Sequence, residues 1–165
     1  MQRRHSLILA LGLITTACGF RLRGHQRYAF QTLAVLPHPG GPVALELRRS
    51  LGPAVRVLAP GEALTSSQVV VEIVQEQREK TVVGVNSSGQ VREFQLRMRV
   101  KLRIRTAQGR ELAPEAELVL QRDISFNESA VLAKEAEEIL LYRDMQSDIV
   151  QQIMRRLASI KPGQD

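Results

Sequence analysis

The run Phe94-Gln95-Leu96-Arg97-Met98-Arg99-Val100-Lys101-Leu102-Arg103-Ile104-Arg105 alternates apolar and polar or charged side chains without a break. Successive side chains of a β-strand point to opposite faces, so a period of two predicts a strand. Phe94, Leu96, Met98, Val100, Leu102 and Ile104 form one face. Glu93, Gln95, Arg97, Arg99, Lys101, Arg103 and Arg105 form the other. A strand with one apolar and one charged face belongs to an antiparallel sheet covered on one side.

Turn chemistry flanks this strand. Asn86-Ser87-Ser88-Gly89 precedes it and Ala107-Gln108-Gly109-Arg110 follows it, which predicts two long hairpins. The strand before runs from about Gln68 to Val85. Val69, Val71 and Ile73 alternate with Val70, Glu72 and Val74, so cover on both faces is expected at that end. Its middle, from Gln75 to Lys80, is polar. The strand after puts Ala116, Leu118, Leu120, Ile124 and Phe126 on one face and Glu115, Glu117, Gln121 and Asp123 on the other. Arg122 interrupts the apolar face and is expected at the rim or paired. A hairpin centred on Gln108 sets Arg105 opposite Glu111, Lys101 opposite Glu115 and Arg99 opposite Glu117. Such pairs contribute about 0.2–1 kcal/mol each and chiefly fix register.

Beyond Phe126 the period becomes helical. Ile139, Tyr142, Met145, Ile149, Ile153, Leu157 and Ile160 recur at three and four residues, with Asn127 or Ser129 as the cap. Acids come early and cations late, as the helix dipole favours. Upstream, Leu33–Leu36 ending at Pro37 predicts a first strand. Pro42 opens a short helix that Gly52 closes, and Val55–Leu58 is a second short strand. The fold class is α+β: a mostly antiparallel sheet with two long hairpins and two helices packed on one face.

Residues 1–17 read as a signal peptide. Arg3 and Arg4 precede the apolar run Leu7–Ile14, too short to span a bilayer, and Thr15-Thr16-Ala17 precedes Cys18. Cys18 is the only cysteine of 165 residues and stands where a lipoprotein is acylated. An ordinary secretory signal with an incidental cysteine is the plainer alternative. Residues 18–31 are read as a lipidated N-terminal linker, whose aromatics dock on a surface rather than build a core. Residues 32–161 form a single α+β domain and 162–165 a tail. Removing residues 1–17 deletes two arginines and no acid, so the net charge falls from +6 to +4.

The lone cysteine leaves no disulfide framework. His5, His25 and His38 have neither metal-ligand spacing nor a nucleophile beside them, and there is no glycine-rich phosphate loop. Neither an enzyme nor a cofactor is expected. The basic stripe Arg97–Arg105 raises nucleic-acid binding. Export argues against it, and Phe94 lies on the face away from the cations, where it cannot stack with them. A solvated sheet face and an anionic partner both fit the stripe.

Several blocks resemble a known family. Cys18-Gly19-Phe20-Arg21-Leu22-Arg23-Gly24 is similar to the mature start of the lipopolysaccharide-assembly lipoproteins LptE. Gly89-Gln90 with Arg92-Glu93-Phe94-Gln95-Leu96-Arg97-Met98 resembles that family's first hairpin and following strand. Arg122-Asp123-Ile124-Ser125-Phe126-Asn127, Val131-Leu132-Ala133-Lys134-Glu135 and Tyr142-Arg143-Asp144-Met145 resemble its most specific block. The resemblance implies an outer-membrane lipoprotein, anchored on the periplasmic side. It would plug an LptD-like β-barrel, assist lipopolysaccharide assembly at the cell surface and bind lipopolysaccharide directly. It implies Lys134 and the Asn86–Arg92 hairpin as contacts. At Ser87, where some relatives carry a basic residue, this chain has a hydroxyl, and Arg92 is the nearby cation. A generic periplasmic auxiliary lipoprotein of a transport or secretion machine is the alternative.

Overall fold

The computed structural model describes residues 26–163. The expected signal peptide and the expected acylation site at Cys18 lie outside the described residues. The elements, in order, are β1 (Thr32–Leu36), α1 (Pro42–Leu51), β2 (Arg56–Val57), β3 (Val69–Val85), β4 (Val91–Arg105), β5 (Glu111–Ser125) and α2 (Val131–Ser159). Short 3₁₀ turns cover Leu64–Ser66 and Glu128–Ala130.

The sheet order is β2-β1-β3-β4-β5. The two long hairpins form as expected, with β3, β4 and β5 antiparallel. β1 runs parallel to both β2 and β3, so the sheet is mixed within the α+β class. Gly89 (φ +77°) and Gly109 (φ +95°) turn the hairpins in the left-handed region, which glycine enters without steric cost. The Asn86 side chain accepts from Ser88 N and Gln90 N and so ties the first turn.

Leu96, Met98, Val100, Leu102 and Ile104 of β4 are at most 2% exposed. They meet Val43, Leu47 and Leu51 of α1 and Met145, Ile149, Ile153 and Leu157 of α2 in one core. Both helices therefore cover the same sheet face. On the opposite face Val70 packs with Ala34 and Leu58, so the start of β3 is buried on both sides. Phe30 is 3% exposed and belongs to the main core, and Tyr28 packs against it. This corrects, for Tyr28 and Phe30, the expectation that the linker aromatics stay outside the core; Phe20 lies outside the described residues. The Tyr28 and Phe30 ring centroids stand 5.3 Å apart.

Three further details depart from the sequence reading. In the second hairpin Arg105 pairs with Glu111, but Lys101 lies opposite Glu117 and Arg99 opposite Val119. Irregularities on either side of Ile104 put extra residues into β5, where Pro114 has no N–H to give a ladder. Arg99 still reaches Glu117 at 3.2 Å along the diagonal, and Arg103 takes Glu115 at 2.6 Å. The long helix starts at Val131, behind the 3₁₀ turn that Asn127 caps by accepting from Ser129 N. Ile139, expected in the buried stripe, is 62% exposed. The cause is length: ten residues of α1 span about 15 Å and twenty-nine of α2 about 43 Å. The start of α1 meets α2 at Gln146 and Ser147, two turns past Ile139. Arg122 is paired, with Asp148 at 3.4 Å.

Candidate functional site

One end of the sheet gathers the residues singled out in the sequence. Arg92 lies at the start of β4, and its carbonyl accepts from Phe126 N at 2.7 Å. The next pair along the ladder is Glu93 with Ser125. Lys134, one turn into α2, donates to Ser125 Oγ at 2.9 Å. Arg92 and Lys134 thus converge on the same end of β5. Ser87 sits in the exposed turn of the first hairpin, beyond them.

Lys134 also meets Glu137 Oε2 at 2.9 Å, three residues on. A helical pair of this kind contributes about 0.2–0.5 kcal/mol. The ammonium is therefore held between a hydroxyl and a carboxylate at the edge of a cleft.

The cleft, about 220 Å³, is walled by Phe94, Ile124 and Phe126 from the sheet end and by Val131 and Glu135 from the helix. Phe94 and Phe126 meet edge to face, centroids 5.3 Å apart, the geometry that ring quadrupoles favour. Lys80 and Lys134 also line it. The Lys80 ammonium lies 4.3 Å from the Phe94 centroid and 2.6 Å from Glu138 Oε2. Apolar rings, two lysines and two glutamates share the cleft, and Lys80 engages one of those acids, Glu138. Such a lining suits an amphiphile with negative charge more than a purely apolar ligand.

Lys80 escaped the sequence reading because its face depended on a bulge. Ile73 pairs with Leu102 and Gln75 with Lys101, so Val74 is an extra residue in β3. The extra residue reverses the alternation. From Glu76 to Val82 the even positions face the helices. Glu76 accepts from Val43 N at 3.2 Å, Arg78 reaches Gln146 at 2.9 Å and Lys80 reaches Glu138. Tyr142 closes this row by donating to the Glu79 carbonyl at 2.7 Å, with Arg78 5.2 Å from its ring centroid. Burial first, and the Glu138 carboxylate second, push the Tyr142 phenol above its ordinary value.

The opposite sheet face is a lattice of ion pairs. Glu79 lies 3.7 Å from Arg97 and 3.9 Å from Arg99, and Glu72 lies 3.6 Å from Arg105. With the Arg99–Glu117 and Arg103–Glu115 pairs, the basic stripe of β4 is largely balanced by acids on both neighbouring strands.

Two helices on one face of a five-stranded mixed sheet, with an amphipathic cleft at one end, define a two-layer α+β domain already solved among bacterial lipoproteins. The solution structure of an uncharacterized lipoprotein B from Nitrosomonas europaea is 35% identical and superposes with a TM-score of 0.71. That match covers 86% of this chain and 91% of that one. A rare lipoprotein B from Shewanella oneidensis shares the fold at 20% identity, with a TM-score of 0.65, over 78% of this chain and 95% of that one. By sequence, the LPS-assembly lipoprotein LptE of Pectobacterium atrosepticum is 26% identical over 99% of this chain and 90% of its own length. That of Yersinia pestis is 27% identical over 96% and 78%. The family model described as "LptE: Lipopolysaccharide-assembly" matches residues 29–157, and the chain belongs to that family.

Proposed function

We propose that the chain is an exported lipoprotein, acylated at Cys18 and anchored on the periplasmic side of the outer membrane. There it plugs an LptD-like β-barrel and assists the assembly of lipopolysaccharide at the cell surface. It binds lipopolysaccharide directly, through Lys134 and Arg92, with Ser87 in the neighbouring hairpin turn. Family membership over residues 29–157 carries the reading. The cleft supports it, because lipopolysaccharide joins phosphates and sugar acids to acyl chains, and ammonium groups beside Phe94 and Phe126 suit both. The ion-paired outer face of the sheet supports the plug, since a barrel lumen is polar. No helix among the described residues is long and apolar enough to cross a membrane.

The test is affinity isolation of the tagged mature chain from outer-membrane extract. One barrel protein in stoichiometric amount is expected, with lipopolysaccharide bound by the purified chain. Recovery without any barrel would sink the plug and favour a generic periplasmic auxiliary lipoprotein.

A further inference from the structure

The side of α2 that α1 covers at Gln146 runs on uncovered toward the start of the helix. Glu46 of α1 accepts from Gln146 Nε2 at 2.6 Å and from Ser147 Oγ at 2.7 Å, and the Pro42 carbonyl, at the first residue of α1, also accepts from Gln146. Ile139 and Leu132 stand seven and fourteen residues before Gln146, about two and four turns, so they lie on its side of the helix. Leu132 is 81% exposed, Ile139 62% and Leu140, beside it, 54%. The three make an apolar stripe about 12 Å long. An exposed apolar stripe bordered by charge marks an interaction surface.

The stripe leads into a groove between the two helices. It encloses about 640 Å³ and is lined by Glu46, Arg49, Ser50, Arg143, Gln146 and Ser147. Arg143 follows Ile139 by one turn, so a cation stands where the stripe ends. Arg49 faces the same groove from α1. Neither guanidinium has a hydrogen-bond or ion-pair partner among the described residues. Arg48 shows the contrast: its guanidinium donates to the carbonyls of Val35, Pro37 and Pro39. The one acid in the lining, Glu46, is held by Gln146 and Ser147 and pairs with neither arginine.

Charge complementarity selects the occupant. A planar guanidinium matches a carboxylate with two parallel N–H···O bonds. An apolar stripe that ends in two arginines therefore fits a segment with apolar side chains at one end and acids at the other. A second copy of the chain is a poorer match. Of the three acids beside the stripe, Glu137 is taken by Lys134 and Glu138 by Lys80.

We infer that the stripe and the groove dock an acidic, amphipathic segment of the barrel protein. Its apolar side chains cover Leu132, Ile139 and Leu140, and its carboxylates meet Arg143 and Arg49. The inference rests on the plug reading above and adds to it the surface that fixes the plug against its partner. A polar lumen would otherwise leave the stripe against water.

The test uses the barrel complex isolated from outer-membrane extract with tagged mature chain. Arg143→Lys and Arg49→Lys keep the charge and supply an amine that a carbodiimide joins to a carboxylate in contact. Mass spectrometry of the linked peptides should show Asp or Glu of the barrel joined at position 143, at position 49 or at both. Arg156→Lys, the same change near the far end of α2, should stay unlinked. Arg143→Glu with Arg49→Glu should weaken the complex roughly tenfold or more, since close charge pairs across an interface are strongly coupled. Ile139→Asp, at an exposed position, should weaken it as well, and Arg156→Glu far less. A barrel recovered with no link at either position would overturn the docking surface and leave the plug standing. A link to a second copy of the chain would overturn it in favour of self-association. An equal loss with Arg156→Glu would reduce the effect to overall charge and overturn it too. Recovery without any barrel would overturn the plug and this surface together.

Discussion

The Lys80 ammonium lies 4.3 Å from the centroid of the Phe94 ring, one strand away. Glu138 of α2 holds the same ammonium at 2.6 Å. A strand, its neighbour and the long helix are thus joined at the mouth of the cleft by one cation. A partly exposed cation–π contact contributes about 0.5–1 kcal/mol. Phe94→Leu keeps apolar volume and removes the ring face and the edge contact with Phe126. It should lower stability by about 1–2 kcal/mol. Lys80→Met should cost less than Phe94→Leu, since Phe126 still packs on the ring. Chemical denaturation of both variants checks the order; a costlier Lys80→Met would mean the ion pair with Glu138 dominates.

Leu102 and Arg103 are sequence neighbours on opposite sheet faces. Leu102 is 1% exposed within the core, whereas Arg103 is exposed and pairs with Glu115 at 2.6 Å. Leu102→Ala should cost about 2–5 kcal/mol through lost burial and the cavity left behind. Arg103→Gln should cost under about 1 kcal/mol, because an exposed ion pair adds little. Denaturant melts decide it, and equal losses would contradict the face assignment.

How much was legible follows from those two residues. The unbroken alternation of Phe94–Arg105 determines its strand and its two faces, because period two leaves no other assignment. The register of the second hairpin was not legible. Turn residues locate its centre, but the irregularities around Ile104 and Pro114 displace Lys101 and Arg99 from their simple partners. The side of Lys80 was hidden for the same reason, since one extra residue at Val74 reverses β3. Leu33–Leu36 announces a strand without naming its neighbours, so the parallel pairing of β1 with β3 came only from the fold. Ile139 fits the helical stripe by spacing, yet whether a partner covers it depends on where the short α1 begins.

Glu76 supplies a prediction in pH. Its carboxylate sits at the first turn of α1, accepting from Val43 N. Burial pushes its pKa above the ordinary glutamate value, outweighing the Val43 hydrogen bond and Arg78, which act the other way. A raised carboxyl pKa means the folded state holds the proton more tightly than the unfolded chain. Stability from this group is therefore greatest below the ordinary value and is lost as pH rises through the raised one. Glu76→Gln keeps an acceptor for Val43 and removes the titration. Relative to the variant, wild type should lose stability as pH climbs through that window. Melts across the acid range check it; a pH-independent difference would mean Glu76 is not desolvated in solution.

Lys134 and Arg92 carry the prediction on function. Both stand at one end of β5, Lys134 through Ser125 Oγ and Arg92 through its carbonyl to Phe126 N. If Lys134 serves only its helix, Lys134→Asp removes the contact with Glu137, sets two acids at helical spacing and costs a few tenths of a kcal/mol. Binding of lipopolysaccharide would then be untouched. If the ammonium receives a phosphate, reversal leaves the fold and the barrel complex intact and weakens lipopolysaccharide binding. Charge-assisted hydrogen bonds contribute about 1.5–3 kcal/mol, so a roughly tenfold loss is expected for Lys134→Asp and a further loss with Arg92→Asp. Ser87→Lys adds a cation to the neighbouring turn and should strengthen binding. Cation–phosphate contacts at a partly exposed site are screened, so wild-type affinity should fall as salt rises and the double reversal should flatten that dependence. The measurement is lipopolysaccharide binding by the purified mature chain across a salt series, for wild type, both single reversals and the double. A folded double reversal that binds like wild type would remove Lys134 and Arg92 from the site and leave the plug to be judged by the barrel alone.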